Sequence, residues 1–392
     1  MRSFTPGLLG ILFIAFIFVD SVRAQSETPI TMGIRTSIES EILGEERPLL
    51  IYTPDGYEQS TESYPVIYLL DGDGHLLHTA GITQFLSNQG KMPQVIIVGL
   101  PNTDRTRDLT PEQTNPNDNF PTAGGADNFL SFIADELVPH IESNYRTAPY
   151  RILIGHSFGG LFSVNALIKK PELFNAHISI SPSLWWDNKG MLPKAEQFFD
   201  ENRDLKNFYY MTLGNEGGAM LAGVWGYAGI MEEKAPRNFK WHFELMKQET
   251  HGSIPHRSTY DGLEMIYDGW SIEDFNMAVF NGGIEAIDAH YASLSDRFGY
   301  TISTPEAAVN QVGYHFMRRE KFDDAIAAFE RNIRDFPESV NAYDSAGDGY
   351  KAQGNMEKAI ANYEKACTMG KASNHPNSAI YCNNLAEAKG EE

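Results

Sequence analysis

The pentapeptide at residues 155–159, Gly-His-Ser-Phe-Gly, is the stretch whose residue types and spacing point most directly to chemistry. A short apolar run at residues 151–154 precedes it, and residues 158–169 follow with helical periodicity. A strand, a G-x-S-x-G motif and a helix in succession form a nucleophile elbow, in which glycines permit a sharp, strained turn that exposes the serine. The pattern predicts that Ser157 is a nucleophile; a glycine-rich turn that contains a serine by chance is the alternative.

A serine nucleophile needs a general base, which is expected to be a histidine oriented by a carboxylate, in the chain order serine, acid, histidine. Among the 11 histidines, His251 follows the last apolar run, at residues 241–246, in a loop that can reach the Ser157 hydroxyl. A solvated loop histidine is the alternative, and His256 is the fallback base. His156 is adjacent to the serine, but its side chain is expected to point away.

Glu216 is the predicted acid of this set. It lies in the loop directly after the apolar run at residues 208–213, where the carboxyl end of a strand would present a catalytic carboxylate. Three other carboxylates compete for the role: Asp187, Glu244 and Glu249.

The oxyanion of a tetrahedral intermediate needs two preorganised N–H donors. One is expected from the backbone of Phe158, and the other from the Asp-Gly-Asp-Gly loop at residues 71–74. Glycines in that loop permit its amides to turn inward. The sequence leaves open whether Gly72 or Asp73 supplies the second amide.

The same loop superficially resembles a calcium site. However, His75 occupies a ligand position, and no glutamate follows at the required distance. A zinc site from His75 and His78 is equally unsupported. Because hydrolysis through a serine needs no metal, we expect neither a metal nor another cofactor.

Two arginines and two tryptophans are candidate substrate-binding residues. Arg105 and Arg107 form a positive cluster in the loop after the apolar run at residues 95–98. Their guanidinium groups could hold an anionic or catecholate substrate, and ion pairs with the neighbouring aspartates are the alternative. Trp185 and Trp186 could wall an aromatic or sugar-binding cleft, or pack in the core.

Alternating strand and helix signals predict the elements that would position these residues. Almost fully apolar runs lie at residues 66–70, 95–98, 152–154, 178–180, 208–213 and 241–246, with helical periodicity at residues 128–145 and 158–169. Such runs are typical of strands buried on both faces of a mostly parallel sheet, so the predicted class is α/β with helices on both faces. Residues 38–43 and 49–52, separated by turn-like residues 44–46, predict an antiparallel hairpin at a sheet edge.

The pattern becomes helical after about residue 270, and a helix is expected to begin near residues 304–306. Four positions recur with a displacement of 34 residues: Gly313, Phe316, Ala325 and Phe329 return as Gly347, Tyr350, Ala359 and Tyr363. This is the tetratricopeptide period and residue pattern, and a generic helical hairpin is the alternative. A helix near residues 378–388 is expected to cap the array, which would form a docking surface for a protein partner or a brace on the preceding domain.

Residues 1–24 have the organisation of a cleaved secretory signal, with Arg2, an apolar stretch at residues 8–19 and small residues at the end. Because this stretch is shorter than the ~20 residues that span a bilayer, an uncleaved anchor is the weaker alternative. A periplasmic or secreted protein is therefore expected.

The formal net charge of −21 makes nucleic acid and anionic membranes poor partners. Cys367 and Cys382 could form a disulfide or remain two thiols.

Several segments together resemble the putative-esterase (esterase D-like) family of α/β-hydrolases, which includes siderophore esterases, feruloyl esterases and mycolyltransferases. The segments are Tyr-Pro-Val-Ile-Tyr-Leu-Leu-Asp-Gly at residues 64–72, Arg-Thr-Arg-Asp-Leu-Thr-Pro at 105–111, Gly-His-Ser-Phe-Gly-Gly at 155–160, Ser-Pro-Ser-Leu-Trp-Trp at 181–186 and His-Gly-Ser at 251–253. The segments at residues 105–111 and 181–186 are most similar to bacterial enzymes that hydrolyse the trilactone of catecholate siderophores. The repeat region departs from the typical siderophore esterase.

The combined prediction is an exported serine carboxylesterase that acts on a small-molecule or glycan ester, such as a siderophore trilactone or an acylated or feruloylated sugar. The expected organisation is a signal peptide at residues 1–24, an α/β-hydrolase domain at 25–270, a helical connector at 271–303 and tetratricopeptide repeats with a capping helix at 304–392. The rival functions are acyl transfer to a sugar hydroxyl and a non-catalytic scaffold with a degenerate hydrolase domain.

Overall fold

A computed structural model describes residues 31–114 and 119–391, and the predicted signal peptide lies outside the described residues. One sheet contains eight strands in the order β1-β2-β4-β3-β5-β6-β7-β8. The strands are β1 Ile34–Ser40, β2 Glu45–Tyr52, β3 Tyr64–Leu70, β4 Ile96–Leu100, β5 Thr147–His156, β6 Ala176–Ile180, β7 Phe208–Leu213 and β8 Lys240–Leu245. Strands β3 to β8 run parallel, whereas β2 runs antiparallel to both β1 and β4. The predicted α/β class and mostly parallel sheet are confirmed.

The predicted edge hairpin is formed by β1 and β2, with Ser40 opposite Glu45 at its closed end. The turn occupies residues 41–44, whereas the sequence placed it at residues 44–46. Glu45 already belongs to β2, where it accepts hydrogen bonds from arginine side chains. Arg47 lies two residues further along β2, whereas Arg107 is distant in sequence. The turn-like composition of residues 44–46 was therefore misleading.

The apolar runs that became β3, β4 and β6 are buried along their whole length, as predicted. The prediction was wrong for β8, which forms the second edge of the sheet and is only partly buried. Its polar residues Lys240 and His242 are exposed. At the edge of the sheet the helices cover the strand incompletely, so side chains of β8 stay accessible to solvent.

Nine α-helices lie in the described part of the α/β region, eight between strands and the ninth after β8. They are α1 Gly72–Asn88, α2 Arg105–Leu109, α3 Ala126–Phe132, α4 Val138–Asn144, α5 Phe158–Lys169, α6 Trp186–Lys189, α7 Met191–Glu201, α8 Gly218–Lys234 and α9 Ile254–Ile266. The predicted single helix at residues 128–145 is α3 and α4, joined through the π-helical turn Ile133–Leu137. The helix predicted at residues 158–169 is α5, which has the same bounds.

A buried ion pair stabilises the region beside β2 and α2. Arg47 Nη1 lies 2.6 Å from Asp108 Oδ2, and the two side chains are 2% and 1% exposed. The Arg47 guanidinium also lies 5.0 Å from the centre of the Phe129 ring. Because a charge buried without its partner is costly, neither group can be removed alone without loss of stability.

We expect Asp108→Ala to lower the free energy of unfolding by about 3–5 kcal/mol, because it removes the fully buried carboxylate that pairs with both Arg47 and Arg107 and leaves the buried Arg47 guanidinium with Glu45 as its acidic partner. Guanidinium chloride unfolding measures the change. The control is Asp200→Ala, which removes solvent-accessible pairs with Arg203 and Lys234 and should cost about 1 kcal/mol or less. A loss under about 1 kcal/mol for Asp108→Ala as well would show that the buried pair does not stabilise the fold.

The C-terminal part of the described chain is helical. Its helices are α10 Phe275–Phe298, α11 Glu306–Met317, α12 Phe322–Asp335, α13 Val340–Gln353, α14 Met356–Ala372 and α15 Ser378–Lys389. The positions of α11 and α15 agree with the expected helix start near residues 304–306 and the expected last helix near 378–388. Helix α10 bends at Gly283, which has φ 61° and ψ −149°.

The hairpins α11–α12 and α13–α14 repeat one internal contact at the 34-residue spacing. A Cβ atom added at Gly313 would lie 2.3 Å from the Phe329 ring, and one added at Gly347 would lie 2.5 Å from the Tyr363 ring. The helices therefore approach closely where the sequence places small residues opposite aromatic ones. A disulfide between Cys367 and Cys382 joins α14 to α15, which resolves the alternatives left open by the sequence.

The helical region packs on the α/β region through the end of α10. The Phe298 ring lies 5.1 Å from the Tyr150 ring at the start of β5 and 5.2 Å from the Tyr267 ring after α9. Arg297 donates hydrogen bonds to the carbonyl oxygens of Ile266 and Asp268. Within the described residues, no helix combines the length and hydropathy that a bilayer span requires.

Candidate active site

Ser157 occupies the turn between β5 and α5. Its backbone has φ 60° and ψ −113°, a positive-φ conformation that non-glycine residues rarely adopt. A Cβ atom at Gly155 would lie 2.2 Å from the Gly159 carbonyl oxygen, and one at Gly160 would lie 2.8 Å from Pro182 Cα. Gly155, the first glycine of the motif, and Gly160, which follows the motif, are thus required by close backbone approach. The strained elbow predicted from the sequence is present.

The Ser157 hydroxyl lies 3.3 Å from the Ser183 hydroxyl. The loop that carries Ser183 follows β6 and is fixed to the elbow through the backbone: the Ser183 amide donates to the Ser157 carbonyl at 3.0 Å, and the Ser157 amide donates to Ile180 at 2.9 Å. Sequence reasoning did not select Ser183, although it lies in the Ser-Pro-Ser-Leu-Trp-Trp segment that contributed to the resemblance.

His251 and Glu216 form a hydrogen-bonded pair, with 2.7 Å between His251 Nδ1 and Glu216 Oε2. The other oxygen of Glu216 accepts from the Ser181 hydroxyl at 2.5 Å and from the Gly214 amide at 3.3 Å. Burial tends to raise the pKa of Glu216, but the hydrogen bonds from His251 and Ser181 outweigh it, so the pKa is lowered from its ordinary value. The carboxylate is therefore ionised at neutral pH and accepts the Nδ1 proton, which leaves Nε2 as the proton acceptor.

The imidazole of His251 lies next to the elbow, since its ring centre is 4.5 Å from that of His156. In this structure the hydroxyl of Ser157 is paired with Ser183 and not with His251. Catalytic hydrogen bonds are often long or unformed in ligand-free enzymes and tighten when substrate binds.

The competing acids have other partners. Asp187 accepts hydrogen bonds from Thr114, Glu244 accepts one from Tyr210, and Glu249 accepts one from Ser253. Of the four carboxylates considered, Glu216 is the one that bonds His251. The fallback base, His256, has a ring contact of 5.5 Å with His78.

A row of histidine rings extends from the site into the protein. The His156 ring contacts that of His75 at 5.8 Å, and His75 Nδ1 lies 3.0 Å from His78 Nε2. Burial, with some contribution from neighbouring imidazoles, lowers the pKa of both His156 and His78 to about 4, so both are neutral at neutral pH. His156 was expected to point away from the reaction centre, but its ring packs against that of His251. Nowhere in the described ranges do three or more histidine, cysteine or acidic side chains form an arrangement that could hold a metal ion.

The two predicted sources of oxyanion donors lie side by side. Helix α1 begins at Gly72 after β3, and α5 begins at Phe158 after the neighbouring strand β5. A Cβ atom at Gly159 would lie 3.5 Å from Asp71 Oδ2, so the two helix starts are in contact. Amides in the first turn of a helix have no partner within the helix, which makes Gly72, Asp73 and Phe158 available as donors.

Arg105 lies at the site, but it binds a different aspartate from the neighbours considered in the sequence. Its Nε and Nη2 atoms donate to Asp71 at 2.6 and 2.9 Å, and Nη2 also donates to the His156 carbonyl at 3.2 Å. The guanidinium lies 5.4 Å from the Phe158 ring centre. Burial tends to raise the pKa of Asp71, but Arg105 outweighs this and lowers it.

Arg107 is held away from Arg105 by a separate ion-pair network. It donates to Glu45 at 2.6 Å and to its neighbour Asp108 at 2.7 Å. The hydrogen bond from Arg107, with further bonds from Arg47 and Thr103, outweighs burial and lowers the pKa of Glu45 to about 2. The ion-pair alternative thus describes the observed contacts of Arg107.

The two tryptophans occupy different environments. Trp186 is 2% exposed and donates its indole N–H to the Pro111 carbonyl at 3.0 Å, so it packs in the core. Trp185 is partly exposed, with its ring 6.0 Å from that of Phe158 and 6.2 Å from that of Phe120. Trp185 therefore contributes to an aromatic surface beside the elbow.

A mostly parallel eight-stranded sheet with a strained serine elbow after a central strand defines an α/β-hydrolase fold. Comparison with known proteins agrees: residues 40–216 match the family described as "Putative esterase". An IroE-like serine hydrolase from Shewanella oneidensis is 32% identical with a TM-score of 0.67, over 78% of this chain and 99% of that chain. The chain belongs to this esterase family, whose members are hydrolases that act on ester bonds.

The curated relatives that the chain matches include siderophore esterases. The siderophore enterobactin esterase of Emericella nidulans is 36% identical over 170 residues, which cover 36% of this chain and 53% of the relative. The ferri-bacillibactin esterase of Bacillus subtilis is 34% identical over 157 residues, covering 34% of this chain and 53% of the relative. The chain thus spans about half the length of the curated relatives it matches.

Proposed function

We propose that the protein is a serine esterase in which Ser157 is the nucleophile, His251 the general base and Glu216 the residue that orients the imidazole. The observation that carries the proposal is the 2.7 Å bond between His251 and Glu216, beside a serine in an elbow conformation. A carboxylate, an imidazole and an elbow serine at one end of a sheet are the components of acyl-enzyme catalysis.

In the proposed mechanism, rotation of the Ser157 side chain exchanges its Ser183 partner for Nε2 of His251. The serine oxygen then attacks the ester carbonyl while Nε2 takes its proton, and the ionised Glu216 stabilises the imidazolium through Nδ1. The Phe158 amide and either the Gly72 or the Asp73 amide bind the oxyanion. The imidazolium protonates the leaving alcohol, and water, activated by the same base, hydrolyses the acyl-enzyme.

The substrate class that the site supports best is a siderophore ester, such as a catecholate trilactone. The Arg105 guanidinium, which is paired with Asp71, lies 5.4 Å from the centre of the Phe158 ring, and the partly exposed Trp185 ring lies 6.0 Å from the same ring. A cation and aromatic rings suit a substrate with catechol groups. The names of two curated relatives support the same class, and an acylated or feruloylated sugar is the competing substrate.

A hydrolysis panel tests the substrate class. We expect kcat/KM for a catecholate trilactone to exceed that for p-nitrophenyl acetate by about 100-fold, because contacts remote from the scissile bond contribute to transition-state binding. Feruloylated and acetylated oligosaccharides complete the panel, with and without an added acceptor alcohol. A preference for a sugar ester would overturn the siderophore assignment, and transfer of the acyl group to the acceptor would indicate the rival acyltransferase.

We also propose the organisation predicted from the sequence. Residues 25–270 would form the esterase domain, residues 271–303 the helical connector and residues 304–392 tetratricopeptide repeats capped by α15. The 34-residue recurrence of the Gly313–Phe329 contact supports the repeats, and the Phe298 contacts support a bracing role for the connector. Export to the periplasm or beyond would follow from a signal at residues 1–24, and N-terminal sequencing of the secreted chain tests it.

A further inference from the structure

The outer edge of β8 is unpaired within the described residues. Strand β8 bonds to β7 alone. At its two ends the amides of Lys240 and Met246 donate to the carbonyl oxygens of Asn207 and Leu213, at the two ends of β7. In a parallel pair, alternate residues direct their N–H and C=O groups to the neighbouring strand. Trp241 and Phe243 therefore present their backbone N–H and C=O groups to the free edge, where another strand could form hydrogen bonds with them.

The side chains of β8 form a self-complementary series. Its first five residues read Lys-Trp-His-Phe-Glu, with a positive charge at one end, a negative charge at the other and an aromatic residue on each side of the centre. Within the described structure Lys240 has no ion-pair partner, and Glu244 accepts a single hydrogen bond, from Tyr210. The charges at both ends of the series thus remain available to an oppositely charged group.

We propose that β8 is the interface of a two-fold symmetric homodimer, in which two copies pair antiparallel with His242 on the symmetry axis. This register places Lys240 opposite the partner's Glu244, and Trp241 opposite the partner's Phe243. Residues directly opposite each other in an antiparallel pair point to the same face of the sheet, so each opposite-charge pair and each aromatic pair can form contacts. The two eight-stranded sheets then join into one of sixteen strands.

The backbone agrees with this register. The backbone N–H and C=O groups of Trp241 and Phe243 point to the free edge. In this register Trp241 and the partner's Phe243 form a hydrogen-bonded pair, and the symmetric pair doubles it, which gives four N–H···O=C bonds about the axis. Lys240 and the partner's Glu244 fall in the non-hydrogen-bonded positions, where opposite Cα atoms lie about 4.5 Å apart and side chains are closest. Moving the axis to a neighbouring residue would lose the Lys-to-Glu pairing at both ends.

A groove between α8 and β8 extends the surface on one face of the sheet. Trp225 of α8 is 52% exposed, and its ring lies 5.5 Å from that of Phe243. Ala228 and Gly229 line the same groove, and a Cβ atom at Gly229 would meet no atom within 4 Å. Because the residues beside the exposed aromatic rings are small, the same surface of a second copy could approach closely, and apolar area would be buried between the two. An isologous interface requires such contact of one surface with its own copy.

Three carboxylates lie near one another on the opposite face: Glu244, Asp261, which pairs with Arg257, and Glu264, which pairs with Lys91. Burial, together with the charges of Glu244 and Glu264, raises the pKa of Asp261 despite its ion pair with Arg257. The partner's Lys240 would bring a positive charge to this end of the strand.

The whole chain carries a formal charge of −21, so two copies repel each other at low salt. Association is therefore best measured near 0.15 M ionic strength, where interactions between charges more than ~8 Å apart are screened.

Charge exchange tests the register in solution. The unmodified chain is expected to sediment as a dimer, and Lys240→Glu or Glu244→Lys alone should raise its dissociation constant by about 10-fold or more, because each places two like-charged pairs across the axis. An equimolar mixture of the two single variants should restore the dimer, as should the double variant K240E/E244K. Lys194→Glu, an exposed charge change on α7, is the control and should leave the dimer intact.

Cross-linking provides an independent measurement. His242→Cys places two thiols opposite each other on the axis, within the Cα separation that a disulfide accepts, and mild oxidation should give a covalent dimer on a non-reducing gel. Lys240→Cys is the matched control and should remain uncross-linked, because each thiol would lie opposite a glutamate. A monomeric unmodified chain, a dimer insensitive to the single charge reversals, or equal cross-linking of the two cysteine variants would overturn the proposal.

Discussion

Replacing Ser157 with alanine is expected to reduce kcat for hydrolysis of p-nitrophenyl esters by about 10⁶-fold, leaving only the catalysis that binding and the oxyanion donors provide. The reason is that the hydroxyl forms the covalent bond to the acyl group in the proposed mechanism, and alanine has no nucleophilic atom in its place. Steady-state kinetics measures the loss, and circular dichroism shows whether the fold is retained.

The neighbouring hydroxyl supplies the control for this variant. Ser183→Ala removes the group that lies 3.3 Å from the Ser157 oxygen but keeps the proposed nucleophile, so its kcat should stay within about 10-fold of the unmodified enzyme. Substantial activity in Ser157→Ala, with loss in Ser183→Ala, would mean that the wrong serine has been assigned.

Replacing Glu216 with glutamine is expected to lower kcat by about 10⁴-fold with little change in the fold. The carboxylate accepts the Nδ1 proton of His251, whereas a glutamine amide can donate its N–H to Nδ1 and hold the other tautomer. Nε2 would then carry the proton and could not act as the base. The kinetics should show the decrease mainly in kcat, since the imidazolium is stabilised in the transition state and not in the bound substrate.

Glu249→Gln is the matched control, because Glu249 was a competing acid and lies in the segment that carries His251. Its observed bond is to the Ser253 hydroxyl, so the variant should keep kcat within about threefold of the unmodified enzyme. Similar losses in both variants would argue that the loop conformation, and not the Glu216–His251 bond, sustains activity.

Much of the fold could be predicted because the strands of a parallel sheet leave a strong signal. Strands β3 and β4 consist almost entirely of apolar residues, since both faces of those strands are covered by helices. Strand β6 is buried along its whole length as well, although it contains His177 and Ser179. Strand β8 was misjudged because its Trp and Phe residues were read as a buried run. The alternation of Lys240, His242 and Glu244 with aromatic residues was visible and is typical of a strand with one accessible face.

The residues of the candidate site could be selected from position, but their surroundings could not. Glu216 and His251 follow the strands β7 and β8, and carboxyl ends of parallel strands meet at one end of a sheet. The side-chain direction of His156 depends on how α1 and the His251 loop pack around the elbow, which local sequence does not determine. The pairing of Arg105 with Asp71 depends on the adjacency of β3 and β4, which the strand order alone reveals.

Covalent labelling tests the central claim, that Ser157 is an activated nucleophile, most directly. The purified chain is incubated with a fluorophosphonate probe, digested and analysed by mass spectrometry, with Ser157→Ala and heat-denatured protein in parallel. We expect one stoichiometric adduct on the peptide that contains Ser157, and none in either parallel sample. An unlabelled native chain, or an adduct on another serine that persists in Ser157→Ala, would contradict the assignment.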